Sequence, residues 1–241
     1  MRRFILAALF ALLFFPAKAD FQVNQLIGFG AGGNRVATVS FASSAVSTAD
    51  LTTYTFSSAS LGTAASNRKI VIAVSGAVHT TATVSTMTVG GVSASLITGT
   101  KVRWPTSLYG LEIWQADVPT GSTGDVVVTW SNAQNRTGIG VWAVYGAAAA
   151  AHATATDNSA PYSQAVVVPA GGVVIGAVWG GSPVSYTWTA PMTEKYDQEV
   201  ESNQLQSGAS YASTAGETVT VIVAPASAGE NAMAAVSFGP G

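Results

Sequence analysis

The chain of 241 residues contains no cysteine at all. That excludes disulfides, thiolate zinc sites, thiol catalysis and a lipid anchor on cysteine. Charge is almost as scarce. Only 9% of residues are Asp, Glu, Lys or Arg, against about 25% in ordinary globular domains. No basic patch can form that would neutralise phosphates, so nucleic acid is excluded as a partner. Histidine occurs twice, as His79 and His152, in unrelated contexts. Two scattered imidazoles do not supply the three or four ligands of a zinc site, so no metal is expected. No serine sits in a G-x-S-x-G elbow. Nothing implies a cofactor, and no catalytic residues are assigned.

What is present is apolar and small. Hydrophobic residues make up 48% and the formal net charge is −2, which excludes a disordered chain. A chain of this length buries roughly 70% of its unfolded surface, enough for a core without staples. Ser, Thr, Ala, Gly and Asn must then cover the outside, a composition suited to association through neutral faces.

The first residues stand apart. Arg2 and Arg3 precede an apolar run from Phe4 to Phe15, and Ala17-Lys18-Ala19 supplies small residues before Asp20. This is the layout of a secretory signal peptide over 1–19. The run is too short for a membrane span, which takes about 20 apolar residues; the competing reading is a retained hydrophobic anchor. Cleavage before Asp20 would remove three positive charges and leave a formal charge of −5. The expected location is outside the cell or on a virion surface, with membrane contact only through residues 1–19 if they stay.

Beyond Asp20 the pattern is that of strands. Val36–Ala42, Leu51–Ser57, Lys69–Gly76, Thr86–Ile97, Leu111–Val118, Asp125–Ser131 and Gly138–Gly146 are short, rich in β-branched and aromatic residues, and bounded by Gly, Pro, Ser and Asn. Gly90-Gly91 reads as a two-residue hairpin turn. Short connections favour antiparallel pairing. The expectation is an all-β chain built as an antiparallel β-sandwich of jelly-roll or immunoglobulin-like type.

The halves echo one another. A slide of 93 positions aligns Val126, Val128 and Tyr145 with Val219, Val221 and Phe238, and the separators Ser131–Thr137 and Ala224–Glu230 match in length. Upstream, "KIVIAVSG" corresponds to "GVVIGAVWG" and "YTFSSASL" to "YSQAVVVP", in the same order. Two similar tandem units of about 80 to 90 residues follow. They are placed at 51–147 and 162–241, after a Gly-rich leader and first strand at 20–50, with 148–161 as linker. Two small sandwiches and one large one remain alternatives.

Few residues suggest chemistry. Gly28, Gly30 and Gly33 fit G-x-G-x-x-G, but an alternating β-branched run follows where a helix N-terminus would be needed, so they read as a leader. "KVRWPTSLYG" places Arg103, Trp104 and Tyr109 around Pro105, a combination on which carbohydrate or protein partners dock; Trp104 closing an open sandwich end is the alternative. "TEKYDQEVESNQ" gathers Glu194, Asp197, Glu199 and Glu201 around Tyr196. Glu194, Tyr196 and Asp197 are the weaker binding candidates, for a cation, a sugar or, with a carboxylate pair, glycoside hydrolysis. A solvated edge strand explains the same charges. Trp114, Trp130 and Trp142 fall inside strand patterns and are expected in the core. Asn135-Arg136-Thr137 is a formal glycosylation sequon.

The succession "RKIVIAVSG", "TMTVGGVSASLI", "LEIWQADVPTGSTGDVVVTWS", "RTGIGVWAVYGA", with the opening "QLIGFGAGG", resembles a β-rich domain of phage and prophage virion proteins: tail fibres, spikes or head-decoration components. It covers about Leu26 to the C-terminus and rests on strand and turn patterns. The resemblance implies a structural or adhesive role with no enzymatic residues. Its implied partners are further copies of the chain, other virion or surface proteins, and a host-surface glycan. The leader departs from that family, whose members assemble in the cytoplasm. It brings in a second reading, an exported bacterial adhesin or carbohydrate-binding module.

Overall fold

The computed structural model describes residues 36–77, 82–104, 109–159, 161–181, 185–201, 204–225 and 230–241, with Tyr109 and Glu230 described by backbone only. They belong to one compact unit, Arg35–Gly241. The leader, the glycines at 28, 30 and 33, and His79 lie outside the described residues.

Described secondary structure is entirely β, in antiparallel pairs. The first half carries β1 (Thr38–Ser47), β2 (Leu51–Ser60), β3 (Arg68–Ala77), β4 (Val84–Val89), β5 (Val92–Ser93), β6 (Ser95–Leu96), β7 (Val102–Arg103), β8 (Tyr109–Asp117), β9 (Thr123–Gln134) and β10 (Arg136–Tyr145). The second half carries β11 (Ala153–Asp157), β12 (Tyr162–Val168), β13 (Val173–Gly181), β14 (Tyr186–Trp188), β15 (Thr193–Glu201), β16 (Gln204–Ala212), β17 (Glu217–Pro225) and β18 (Glu230–Phe238).

The duplication expected from sequence is present in the topology. One sheet of the first half runs β1-β10-β3-β8-β6, with β7 also on β8; its counterpart runs β11-β18-β13-β16-β15. The outer sheets run β2-β9-β4-β5 and β12-β17-β14. Each half is therefore its own sandwich. The segment 148–161, read as a linker, contains β11, a full member of the second sandwich. Likewise β1 belongs to the first.

Gly90 and Gly91 both have positive φ (56° and 82°) and join Val89 to its partner Val92, as the primed hairpin turn requires. The return strand then leaves its sheet. Ser95 and Leu96 pair with Gln115 and Trp114 of β8, so the chain crosses between layers within the run read as one hairpin. The slide of 93 also needs correction. It keeps Val126 and Val219 both facing a sandwich interior, but Tyr145 packs into the first interior while Phe238 faces the space between the sandwiches. The equivalent offset is 93 from β9 to β17 but 94 from β10 to β18, where Val144 shares the orientation of Phe238; with a side-chain period of two, that one-residue change reverses the face.

Three apolar interiors result. One fills each sandwich, with Ile70, Ile72, Trp130 and Val141 in the first and Val174, Val178, Trp188 and Met233 in the second. The third is a seam between the inner sheets, where Val71, Ile113, Trp142 and Val144 meet Ile175, Trp179, Val236 and Phe238. Four layers of sheet are thus stacked. Strands β3 and β10 are covered on both faces, which is why "KIVIAVSG" and "GIGVWAVYG" read as near-continuous apolar runs rather than alternations. In the seam β8 packs on β18 while β10 packs on β16. Since β16 and β18 are the counterparts of β8 and β10, the two sandwiches exchange equivalent partners, the signature of a two-fold relation.

Glycines make that close approach possible. A Cβ on Gly140 would lie 2.5 Å from Tyr196 Cε1, and one on Gly208 would lie 2.7 Å from Trp142 Cη2. Each sandwich thus lays an aromatic ring on a glycine of the other. Gln198 and Gln206 continue the seam: Gln198 Nε2 donates to Gln206 Oε1 (2.7 Å) and to Ile139 O (3.2 Å). Arg136 closes it with an ion pair to Glu201.

Candidate functional site

The strand directions create two poles. At one, the Ala37 N–H donates to Gly171 O (2.7 Å), the Ala148 N–H to Gly239 O (2.9 Å) and the Gly241 N–H to Gly146 O (2.8 Å). Arg68 secures the turns of this pole. It is 1% exposed, and its guanidinium donates to the carbonyls of Val118, Leu61, Gly62, Thr120 and Gly121 at 2.7–3.1 Å. With no carboxylate involved, five backbone acceptors share the charge.

At the opposite pole β3, β13, β15 and β17 end while β8, β10, β16 and β18 begin, with Ala77 beside Tyr109 and Arg136, and Gly181 beside Gln204 and Glu230. Arg103 and Trp104 belong to this pole. Arg103 pairs with Gly110, and its guanidinium lies so close over Gly110 that a Cβ there would meet Nη1 at 3.0 Å. Asn158 Nδ2 donates to Arg103 O (2.8 Å). Arg103 Nη2 is buried without an acceptor among the described residues. Burial lowers the Arg103 pKa from its ordinary value, opposed by the nearby Glu112 carboxylate. Trp104 is half-buried, and of Tyr109 only the strand backbone is described.

The second candidate group is elsewhere. Strand β15 lies at the edge of its sheet beside β1, whereas β7 lies at the other edge of the first inner sheet. The fold therefore does not unite Arg103 and Trp104 with Glu194, Tyr196 and Asp197. Tyr196 faces inward: its ring stacks on Phe41 (centroids 5.3 Å) and tilts against Trp142 (5.7 Å). It is a seam residue, out of a ligand's reach. Strand alternation puts Tyr196 and Val200 inward and Asp197, Glu199 and Glu201 outward, and a bulge between Glu194 and Tyr196 turns Glu194 outward as well. Asp197 Oδ2 accepts from the Tyr186 N–H (3.1 Å). Desolvation raises the pKa of both Asp197 and Glu194, and the Asp197 charge adds to the shift of Glu194. His152 is exposed, with its N–H on Ser237 O (2.8 Å). The three strand tryptophans are buried, as is the sequon's Thr137, whose hydroxyl accepts from Trp130 Nε1 (3.0 Å).

Sequence reasoning passed over Glu112. It is 1% exposed inside the first sandwich. Oε1 accepts from the Val84 N–H (3.3 Å) and Oε2 from Trp114 Nε1 (3.0 Å). Burial raises its pKa against those two bonds and the charges of Lys101 and Arg103. The signal was available: in "LEIWQADV" Glu112 shares the parity of Trp114 and Ala116. Among the described residues no group of three His, Asp or Glu side chains is arranged to hold a metal ion, and no helix is long and apolar enough to cross a membrane.

Topology and core together define an all-β protein of two tandem antiparallel sandwiches sharing a buried seam. No family model matches the chain, and no curated protein matches it. Among solved structures it is similar to the crystal structure of PBSX exported protein XepA. That match covers 83% of this chain and 86% of the other at 8% identity, with a TM-score of 0.20.

Proposed function

We propose that this is a non-enzymatic structural and adhesive protein, a virion appendage or decoration component of the phage type, repeated in an assembly and displaying one pole to a surface. The observation that carries the reading is the opposition of the poles. Ala37 and Gly239–Gly241 lie at one pole, and Arg103 and Trp104 sit at the other, across two sandwiches joined by a buried seam. An outer sheet whose central rungs are neutral, with Asp125 its charged residue near one end, suits repeated packing: Thr53, Thr129 and Thr86 lie side by side, as do Thr55, Val127 and Thr88. Antibody labelling of purified particles by electron microscopy tests it. Many copies per particle are expected; particles without label overturn the assignment.

A second reading, an exported adhesin or carbohydrate-binding module, is favoured by the leader at 1–19. It expects N-terminal sequencing of the native protein to begin at Asp20, and glycan-array binding that Trp104→Ala abolishes. Met1 at the native N-terminus together with blank arrays removes it.

A further inference from the structure

We propose that Arg103 and Glu112 form an internal clamp, closed when the carboxyl ionises, that withdraws the Arg103 charge from its pole. Both side chains face the interior of the first sandwich. Val102 and Leu111 are paired and belong to the seam, so their neighbours Arg103, Gly110 and Glu112 point to the opposite face. Trp114 continues that row into the first interior. Glu112 lies two positions from Gly110, about 6–7 Å along β8, and the guanidinium already covers Gly110. Glycine leaves no Cβ standing between the two groups. They do not touch: the ion pairs among the described residues are Lys69–Asp117 and Arg136–Glu201.

Each group lacks what the other supplies. Arg103 Nη2 is a buried donor with no acceptor among the described residues. The Glu112 oxygens receive only neutral donors, the Val84 N–H and Trp114 Nε1. That setting suits a protonated carboxyl, whereas an ionised one in an apolar interior calls for a counter-charge. Strands β4 and β9 turn only uncharged side chains into this interior. Arg68 of β3 and Tyr145 of β10 sit at the far pole, where five carbonyls hold the Arg68 guanidinium. Tyr54 of β2 is the remaining titratable group of this interior, its hydroxyl on Ala49 O (2.7 Å). Lys101 and Arg103 are the charges that act on Glu112; Lys101 is exposed and Arg103 is turned inward. The Arg103 backbone is pinned by Gly110 and by Asn158 Nδ2 (2.8 Å), so the guanidinium moves while the strand stays. Burial lifts the Glu112 pKa above its ordinary value, and the clamp closes as pH rises through that lifted value. In acid the charge stands at the pole; in less acidic solution it pairs inside. The clamp does not depend on what the pole contacts, so its failure leaves the function proposed above untouched.

The test is an NMR titration of the full, ¹⁵N-labelled chain from about pH 4 to about pH 9, bracketing the ordinary carboxyl value upward. It reads the indole N–H of Trp114, which donates to Glu112, and the Nε–H of Arg103. Both are expected to inflect at one shared pH above about 4.3. Glu112→Gln should remove both inflections. Arg103→Gln should raise the Trp114 midpoint by about one to three pH units, the effect of losing a nearby opposite charge. Arg103→Lys, which keeps the charge, should raise it less. The Arg103 variants leave the core carboxyl in place and read the coupling even where Glu112→Gln fails to fold. A Trp114 midpoint unmoved by Arg103→Gln overturns the proposal. So does an Arg103 signal that stays flat through the Trp114 transition or still inflects in Glu112→Gln, and so does a wild-type Trp114 signal that is flat throughout.

Discussion

Glu112 occupies a position whose neighbours at the same parity, Trp114 and Ala116, are core. Its carboxylate must either hold a proton or remain charged in an apolar interior, and burial tips the balance towards the proton. Because the folded-state pKa lies above that of the unfolded chain, the folded form binds the proton more tightly. The stabilisation is complete below the unfolded value of about 4.3 and is lost as pH rises through the raised folded value. Asp197 and Glu194 act in the same direction. Asp157, lowered against burial by hydrogen bonds from Ser159, Ser163 and Gln164, acts oppositely and loses its contribution as pH falls. Comparing chemical denaturation of wild type and Glu112→Gln across this range isolates one group. The wild type is expected to lose stability relative to the variant as pH rises from about 4.3; a difference independent of pH would show that Glu112 is ionised throughout.

Between strands, the seam depends on residues with no side chain. Gly140 on β10 receives Tyr196, and Gly208 on β16 receives the rings of Tyr196 and Trp142. Closely packed sheets respond to an added methyl by moving rings off-rotamer or shifting backbone, at a cost of about 1–3 kcal/mol. Gly140→Ala and Gly208→Ala are each expected to lose about that much in urea unfolding. Because both methyls press on Tyr196, the double variant should differ from the sum of the singles. Strict additivity would mean that the aromatic ring does not couple the two strands. Gly91, by contrast, would have nothing within 4 Å of an added Cβ, and its requirement is the positive φ of the hairpin. The long strands of the first half were legible from alternation and punctuation, whereas β11 lay in the segment read as a linker and β16 was not read as a strand. The switch of β6 into the inner sheet was not, because two residues carry too little pattern to show a change of partner.

At the scale of the molecule, the seam joins two sandwiches that otherwise have separate cores. Trp130 reports on the first interior, Trp188 on the second, and Trp142 and Trp179 on the seam. Separating the sandwiches would expose the inner faces of β3, β8, β10, β13 and β18 together. Partial unfolding is therefore costly, and a single transition is expected. Fluorescence of single-tryptophan variants retaining Trp130 or Trp188 should give coincident midpoints in urea; midpoints that part would establish two independent domains. Trp142→Ala in the otherwise unaltered chain, which removes a buried ring from the seam, is expected to destabilise the whole molecule by about 3–5 kcal/mol in urea unfolding followed by circular dichroism.

The amino-acid sequence alone determined the all-β class, the strand punctuation, the neutral composition and the duplication, since each is written in local periodicity and in the order of short runs. It also singled out Arg103 and Trp104, which interrupt the strand alternation. Tertiary structure decided which face each strand residue shows and to what. It made β3 and β10 doubly buried, drew Tyr196 from an acidic edge into the seam, placed Glu112 in a core, and separated the two candidate groups to opposite edges. The reason is physical. Alternation states that one face is buried, but the identity of the covering layer is set by contacts between residues far apart in the chain, and those contacts leave no periodic trace.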